Sequence, residues 1–176
     1  MNMHKILIIV DMQNDFIDGA LGTDDAVAIV DNASKKAAAF DGDIIVTYDT
    51  HNENYQKTQE GRKLPVEHCI KGTYGWQLND KIKTALNGKT FLELEKPTFG
   101  SLILPKLIED IRKDDELYIE LIGLCTDICV VSNALLLKAA FPEADITVDS
   151  NCCAGVSKAK HEAALETMRS CQINVI

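Results

Sequence analysis

Short apolar runs alternate with amphipathic stretches along the chain. Runs such as "KILIIVD" (5–11) are continuous and β-branched, which is typical of strands covered on both faces in a parallel sheet. The stretches between them carry apolar residues at helical spacing. The predicted strands are 5–11, 43–51, 89–96, 116–123, 144–151 and 173–176, and the predicted helices are 24–40, 75–86, 104–113, 127–141 and 157–170. This alternation predicts a Rossmann-like, three-layer α/β/α fold with a six-stranded, mainly parallel sheet.

One long stretch, residues 52–74, breaks the alternation. Its sequence, "NENYQKTQEGRKLPVEHCIKGTY", is polar, has no clear period and contains glycine and proline. A loop of this length in a compact domain is usually functional or disordered. Because it follows a strand that ends in Asp49 and His51 and carries a further histidine, we expect it to contribute to a site.

Composition narrows the class of protein. The 176 residues, 46% of them hydrophobic, suit one domain spanning 1–176. The net charge of −9 argues against a nucleic-acid partner or a polybasic membrane anchor, and no apolar run reaches the roughly 18 residues of a membrane span. The first apolar run is short, lacks a cleavage site and ends in a charge, unlike a signal peptide. We therefore expect a cytoplasmic protein whose cysteines are thiols.

Reactive side chains follow the predicted strands. Asp11 ends the first strand, Asp49 and His51 end the second, Lys96 ends the third, and Cys129 follows the fourth. In parallel α/β sheets the ligand site lies beyond the carboxyl ends of the strands. We therefore expect these residues to meet at one edge of the sheet, although they are far apart in sequence.

Cys129 is a candidate nucleophile. If a helix begins near Thr126 or Asp127, that residue is the N-cap and Cys129 lies in the first turn. There the helix dipole lowers a thiol pKa, and free N–H groups can hold an oxyanion. Asp11 can accept the thiol proton if its surroundings raise its own pKa. Lys96 can then stabilise Asp11 and, later, the negative charge on the intermediate. The residues alone leave open a non-catalytic α/β binding protein with a packing cysteine.

A second group suggests a metal site. Asp49 and His51 are two residues apart, so in an extended strand their side chains share a face. Glu60 and His68 lie in the loop that can fold back over them. Two imidazoles with one or two carboxylates suit Zn²⁺, Fe²⁺ or Mn²⁺, and we expect one such ion.

Five segments together resemble the signature blocks of the isochorismatase-like cysteine hydrolases, in order and at similar spacing. They are "IIVDMQNDF" (8–16), "YDTH" (48–51), "LPVEHCIKGTYGWQL" (64–78), "EKPTFGS" (95–101) and "LIGLCTDICVVSNAL" (121–135). The resemblance spans nearly the whole chain. It implies a six-stranded parallel sheet with helices on both sides and assembly into homodimers or larger homo-oligomers.

The resemblance also implies roles for single residues. Asp11, Lys96 and Cys129 occupy the positions of the family's Asp–Lys–Cys triad. The Leu124–Cys125 peptide matches a cis, non-proline bond. The backbone N–H groups of Cys125 and Cys129 match the oxyanion hole.

The metal residues point to one branch of that family, the nicotinamidases. Asp49, His51 and His68 match the metal ligands of this branch, and Glu60 fits a carboxylate that some members use. The branch hydrolyses a small carboxamide, and this resemblance implies a nicotinamide-like substrate converted to its acid and ammonia through a thioester. A hydrolase of isochorismate or of an N-carbamoyl compound is the alternative within the same fold.

The ring pocket departs from the nicotinamidase pattern. Phe16 matches an aromatic residue that lines the pocket in that branch. Nicotinamidases often have another aromatic residue shortly before the "HC" histidine, where this chain has Leu64. We place Phe16, Leu64 and Trp76 in the predicted substrate pocket, which could therefore accept a different amide.

Overall fold

The computed structural model describes residues 3–112 and 116–176 and contains a single six-stranded sheet. The strands are β1 (Met3–Val10), β2 (Asp43–Asp49), β3 (Leu92–Lys96), β4 (Glu116–Leu124), β5 (Asp145–Ala154) and β6 (Asn174–Val175). Their order across the sheet is β3-β2-β1-β4-β5-β6, and neighbouring strands pair in parallel. The predicted fold is confirmed.

Seven α-helices lie in the described part of the chain. They are α1 (Asn14–Ile17), α2 (Asp24–Ala39), α3 (Gln59–Lys63), α4 (Asp80–Ala85), α5 (Ile103–Ile111), α6 (Val131–Ala140) and α7 (Lys158–Ser170). One core packs α5, α6 and α7 against the sheet face that carries Ile6 and Ile8, and a second core packs α2 and α4 against the face of Leu7 and Ile9. Alternate residues of β1 thus enter opposite cores, which explains its unbroken apolar sequence. None of the helices in these ranges is long and apolar enough to cross a membrane.

The helix predicted at 75–86 is shorter than expected. It begins at Asp80, where the Asn79 side chain caps it by accepting a hydrogen bond from the Lys81 N–H at 3.0 Å. Residues before it pair with the segment after β1 instead: the N–H of Asn14 donates to the Gln77 carbonyl at 2.9 Å. Residues 75–77 therefore form a turn, and Leu78 bridges to Gln13, which attaches this segment to the chain just after the central strand.

The long loop at 52–74 contains local structure that its composition did not predict. A 3₁₀ turn spans Tyr55–Lys57, and α3 follows it with Thr58 as its N-cap. The Tyr55 ring is completely buried, so the loop packs onto the domain through an aromatic anchor.

The neighbours of β1 set the position of the site. The chain runs from β1 to β2 on one side, and β4 pairs with β1 on the other side. Connections that leave in opposite directions open a crevice beyond the carboxyl ends of these strands. Gly123 allows β1 and β4 to approach closely here, because it has φ +119° and a Cβ atom would overlap the Val10 carbonyl oxygen.

Candidate active site

Four adjacent strands place their terminal residues at one edge of the sheet. Lys96 ends β3, Asp49 ends β2, Asp11 follows β1, and Cys129 lies in the turn after β4. Asp49 and Lys96 are paired across β2 and β3. The parallel topology therefore brings together side chains that are up to 118 positions apart, from Asp11 to Cys129.

Asp11, Lys96 and Cys129 are in direct contact. The Nζ atom of Lys96 lies 2.6 Å from Oδ2 of Asp11 and 3.4 Å from Sγ of Cys129. The three residues are 0%, 1% and 3% exposed, respectively. The Thr47 hydroxyl donates to the other Asp11 oxygen, Oδ1, at 2.6 Å. The carboxylate thus has one oxygen fixed by Thr47 and the other directed toward the amine.

Burial controls the protonation of this group. It raises the pKa of the Asp11 carboxyl, although the Lys96 charge opposes the shift. Burial also opposes the charge on Lys96, but attraction to Asp11 outweighs it and raises the pKa of Lys96. Burial raises the pKa of the Cys129 thiol well above its ordinary value, and the Asp11 carboxylate raises it further. The predicted lowering of the Cys129 pKa is therefore wrong, because desolvation and a neighbouring negative charge outweigh any effect of the helix start.

The turn that carries Cys129 is not capped as predicted. It is a π-helical turn, Thr126–Val130, and no described side chain caps it. The hydroxyl of Thr126 is paired with Nδ1 of His161 at 2.8 Å, and Oδ1 of Asp127 accepts the Val156 N–H at 3.0 Å. Of the two expected N-cap side chains, Thr126 is therefore bound to α7 itself and Asp127 to the segment that leads into α7.

The backbone before Cys129 has the expected conformation. The Leu124–Cys125 peptide bond is cis, as the resemblance implies. The Cys125 carbonyl accepts hydrogen bonds from the N–H groups of Ile128 and Val130, both at 3.1 Å. These contacts close the turn around the Cys129 backbone.

Asp49, His51, Glu60 and His68 form a second cluster, here called the metal-type cluster, beside the first. One donor atom from each lies within 4.8 Å of all the others. Oδ2 of Asp49 is 3.1 Å from Nε2 of His51 and 3.5 Å from Nε2 of His68, and Oε1 of Glu60 is 3.6 and 3.7 Å from the same nitrogens. Ligands at about 2.1 Å from a tetrahedral metal ion lie about 3.4 Å apart. The spacing and the donor types fit one divalent metal ion.

The two imidazoles are held in position by neighbouring groups. Nδ1 of His68 lies 2.8 Å from the Val66 carbonyl and donates to it, which leaves Nε2 free to bind a metal. The Tyr55 ring packs against His51 and His68, with ring centroids 4.8 and 5.0 Å away. The anchor of the long loop therefore also orients the two histidines.

Asp49 belongs to both clusters. Its Oδ2 faces the histidines, and its Oδ1 lies 3.7 Å from the Lys96 Nζ. Burial opposes its ionisation, but hydrogen bonds from His51 and His68 and the Lys96 charge hold the pKa of Asp49 well below its usual range. Asp49 is therefore an anionic link between the lysine and the metal-type cluster.

A cavity opens onto Cys129 and the metal-type cluster. Phe16, Leu64 and Cys125 line it. Trp76, which we also placed in the predicted substrate pocket, does not line this cavity. Its ring packs on Tyr48 with centroids 5.4 Å apart, and its Nε1–H donates to Thr50 Oγ1 at 2.9 Å. Trp76 lines a separate groove, together with Tyr48 and Leu78.

Comparison with known proteins places this chain in one family. The family described as Isochorismatase domain matches residues 5–176. The chain belongs to the isochorismatase family. PncA of Bacillus subtilis (strain 168), an isochorismatase family protein, is 30% identical over 143 residues, or 76% of this chain and 78% of that protein.

Solved structures of this family agree closely in fold. The crystal structure of nicotinamidase/pyrazinamidase PncA from Bacillus subtilis has a TM-score of 0.83 and 26% identity, covering 98% of both chains. Pyrazinamidase/nicotinamidase from Streptococcus mutans UA159 has a TM-score of 0.81 and 27% identity, covering 98% of this chain and 99% of that one. The resemblance to the nicotinamidase branch of the isochorismatase family is confirmed.

Several residues of this isochorismatase-family site escaped the sequence analysis. Leu21, Phe99 and Ile128 add apolar surface to the cavity. The Asn133 side chain donates to the Cys129 carbonyl at 2.8 Å and accepts the Ser101 N–H at 2.9 Å. Phe99 was recognisable from its place in "EKPTFGS", three residues after Lys96. Asn133 was recognisable as a polar residue within an otherwise apolar predicted helix.

Proposed function

We propose that this chain is a cysteine-dependent amidohydrolase that converts a small, nicotinamide-like carboxamide to its acid and ammonia. The observation that carries the proposal is the buried contact of Lys96 with both Asp11 and Cys129 at the cavity. A nucleophile, a base and a fixed positive charge are the groups that acyl transfer requires.

In the first half of the reaction, Asp11 accepts the Cys129 thiol proton while sulfur attacks the amide carbon. The new C–S bond turns the carbonyl oxygen into an oxyanion, which accepts hydrogen bonds from the backbone N–H groups of Cys125 and Cys129. Asp11 then gives its proton to the amide nitrogen. The C–N bond breaks, ammonia leaves, and a thioester remains on Cys129.

Water completes the reaction. Asp11 accepts a proton from a water molecule as the water oxygen attacks the thioester carbon. The C–S bond then breaks, the acid leaves, and the proton returns to the Cys129 sulfur. Lys96 keeps its charge throughout and stabilises the negative charge that moves between Asp11, sulfur and oxygen.

Asp49, His51, Glu60 and His68 would hold one divalent ion. The mixed oxygen and nitrogen donors favour Zn²⁺, Fe²⁺ or Mn²⁺. When bound, the ion supplies a Lewis acid that can orient a ring nitrogen or a water molecule next to the thiol.

The substrate proposal draws on the relatives. The Bacillus and Streptococcus structures are named nicotinamidase and pyrazinamidase, enzymes of flat ring amides. The apolar cavity wall with Phe16 suits such a ring. One observation favours a different small amide: Leu64 lies where the nicotinamidase pattern has an aromatic side chain.

Ammonia release tests this function. The purified protein, supplied with Zn²⁺, Fe²⁺ or Mn²⁺, is incubated with nicotinamide, pyrazinamide, an N-carbamoyl amino acid and isochorismate. We expect ammonia from the ring amides and none from Cys129→Ala, whereas the matched variant of exposed Cys171, Cys171→Ala, retains wild-type turnover. Turnover by Cys129→Ala at the wild-type rate would overturn the proposal. Ammonia from the N-carbamoyl compound alone would replace the substrate, and so would consumption of isochorismate alone, which is followed by chromatography because isochorismate contains no nitrogen.

We also propose that residues 1–176 form one hydrolase domain that works in the cytoplasm as a homo-oligomer, with no nucleic-acid or membrane partner. The family match over 5–176 and the six free cysteines support the first two points. Leu102 and Ile103, which are 82% and 61% exposed, offer apolar surface for a second copy. Light scattering during size-exclusion chromatography tests the assembly, and a monomer at micromolar concentration would exclude it.

A further inference from the structure

We propose that Gln13 is a positioning residue that holds Asp49 in place for metal binding, an inference that rests on the metal site of the proposed function. Gln13 is completely buried. Its Oε1 accepts the Asp49 N–H at 2.8 Å, and its Nε2 donates to the Asp49 carbonyl at 2.9 Å. One side-chain amide therefore binds both backbone polar groups of the residue that links the two clusters.

The path of β1 explains why Asp49 needs this partner. β1 pairs with β2 up to Val10 opposite Thr47, and the Asp11 N–H donates to the Thr47 carbonyl at 3.2 Å. At Asp11 the backbone turns away with φ +48°. Asp49, two residues beyond Thr47, has therefore lost its strand partner on that side. The Gln13 amide supplies the donor and the acceptor that a continued β1 would have supplied.

The same amide connects Asp49 to Trp76, in the segment before α4. Nε2 of Gln13 also donates to the Trp76 carbonyl at 2.8 Å. Both the amide oxygen and the amide nitrogen of this side chain are therefore hydrogen-bonded. The Asp49 carboxylate must stay 3.1 Å from His51 Nε2 and 3.5 Å from His68 Nε2 to share a metal ion with them. Loss of the Gln13 contacts frees the Asp49 backbone and with it the position of that carboxylate.

The test compares two buried amide side chains, of which Gln13 binds Asp49 and Asn14 does not. Gln13→Met keeps the side-chain length and removes all three hydrogen bonds. The matched control is Asn14→Leu: Asn14 Nδ2 donates to the Tyr74 carbonyl at 2.9 Å, so its loss weakens the same loop without touching Asp49. Zn²⁺ affinity of the full-length apoprotein is measured by competition with a chromogenic chelator. The visible spectrum of the Co²⁺-loaded protein and the unfolding temperature are recorded in parallel.

We expect Gln13→Met to weaken Zn²⁺ binding by roughly 10- to 100-fold, as outer partners of metal ligands do, and to change the Co²⁺ spectrum. Asn14→Leu should lower the unfolding temperature but keep the wild-type affinity and spectrum. If Gln13→Met does not fold, Gln13→Asn, which is one methylene too short to reach both Asp49 groups, is measured instead and the same loss is expected.

Two results would overturn the inference, and they are distinguishable. Tight Zn²⁺ binding by the wild type together with unchanged affinity in the Gln13 variant would refute the positioning role and leave the proposed function intact. A wild type that binds none of Zn²⁺, Fe²⁺ and Mn²⁺ would remove the metal site itself, and the role of Gln13 with it.

Discussion

The Nζ atom of Lys96 lies 2.6 Å from Oδ2 of Asp11, and neither side chain is exposed to solvent. An ion pair removed from water is costly unless both charges are satisfied. Here the carboxylate also accepts a hydrogen bond from Thr47, and the ammonium also contacts the Cys129 sulfur at 3.4 Å. The pair thus sets the proton affinity of the base next to the nucleophile.

Replacing Lys96 by methionine should shift the acid limb of the pH profile upward. Burial raises the pKa of Asp11 above 3.8, and Lys96 partly offsets that rise. Asp11 acts as a base only when ionised, so activity falls as the pH falls through its pKa. Without Lys96 that pKa rises further, and the loss begins at higher pH. We expect kcat/KM at neutral pH to fall by about 100-fold or more, measured from pH 4 to 9 with metal saturating.

Lys96→Met also tests the ion pair itself. Breaking a buried pair costs about 3–5 kcal/mol of unfolding free energy, which urea titration measures. The surface pair of Lys81 and Asp31, 2.6 Å apart and exposed, provides the control. Lys81→Met should change stability by less than about 1 kcal/mol and leave the pH profile unaltered; a shift as large as that of Lys96→Met would contradict this account.

Thr47→Val should produce a smaller shift in the same direction. Its hydroxyl donates to Asp11 Oδ1 at 2.6 Å and favours the ionised form. Valine keeps the shape but not the donor, so the pKa of Asp11 rises and the acid limb of kcat/KM moves to higher pH. A double variant with Lys96→Met measures the coupling between the two partners of the carboxylate. An unmoved acid limb in a folded Thr47→Val protein would show that Asp11 is not the group that titrates.

Metal removal should lower the unfolding temperature of the wild type. An ion that binds only the folded protein adds about 2.7 kcal/mol at one hundred times its dissociation constant. Dialysis against a chelator should therefore lower the unfolding temperature, and Zn²⁺ should restore it. Asp49→Asn is the matched control, because it weakens the site and should make the temperature insensitive to chelation. An equal response in both proteins would place the bound metal elsewhere.

Leu64→Phe should increase selectivity for nicotinamide. Leu64 lines the cavity of Cys129, whereas Trp76 lines a different groove. An aromatic pair adds about 0.5–1.5 kcal/mol, so KM for nicotinamide should fall roughly two- to tenfold. Trp76→Leu should leave KM unchanged and lower the unfolding temperature, because it loses the stacking on Tyr48. A large rise in the KM for nicotinamide in Trp76→Leu would show that Trp76 contributes to substrate binding.

The strand-end residues were predictable because hydrophobic pattern and topology act together. Once β1 is recognised as a buried parallel strand, Asp11 must lie at the crevice, and Asp49 and Lys96 follow by the same argument. The long loop was predictable as functional from its length, and the structure brings its Glu60 and His68 to Asp49.

The features that the sequence pattern did not predict depend on contacts between segments that are distant in sequence. Trp76 lies at a groove separate from the cavity of Cys129, because the hydrogen bonds of residues 75–79 to the segment after β1 end the apparent helical pattern. The pKa of Cys129 was predicted in the wrong direction because helix position is local, whereas burial and the Asp11 charge are not. Gln13 remained unremarked because the residues that its side chain binds in the described structure, Asp49 and Trp76, are 36 and 63 residues away.

The raised pKa of Cys129 bears on how such a protein survives in a cell. Peroxides and electrophilic metabolites attack the thiolate form of cysteine. A sulfur that is only 3% exposed and whose thiol pKa is raised offers little thiolate to such reagents between turnovers. The same burial that makes the nucleophile weak at rest therefore guards it against irreversible oxidation.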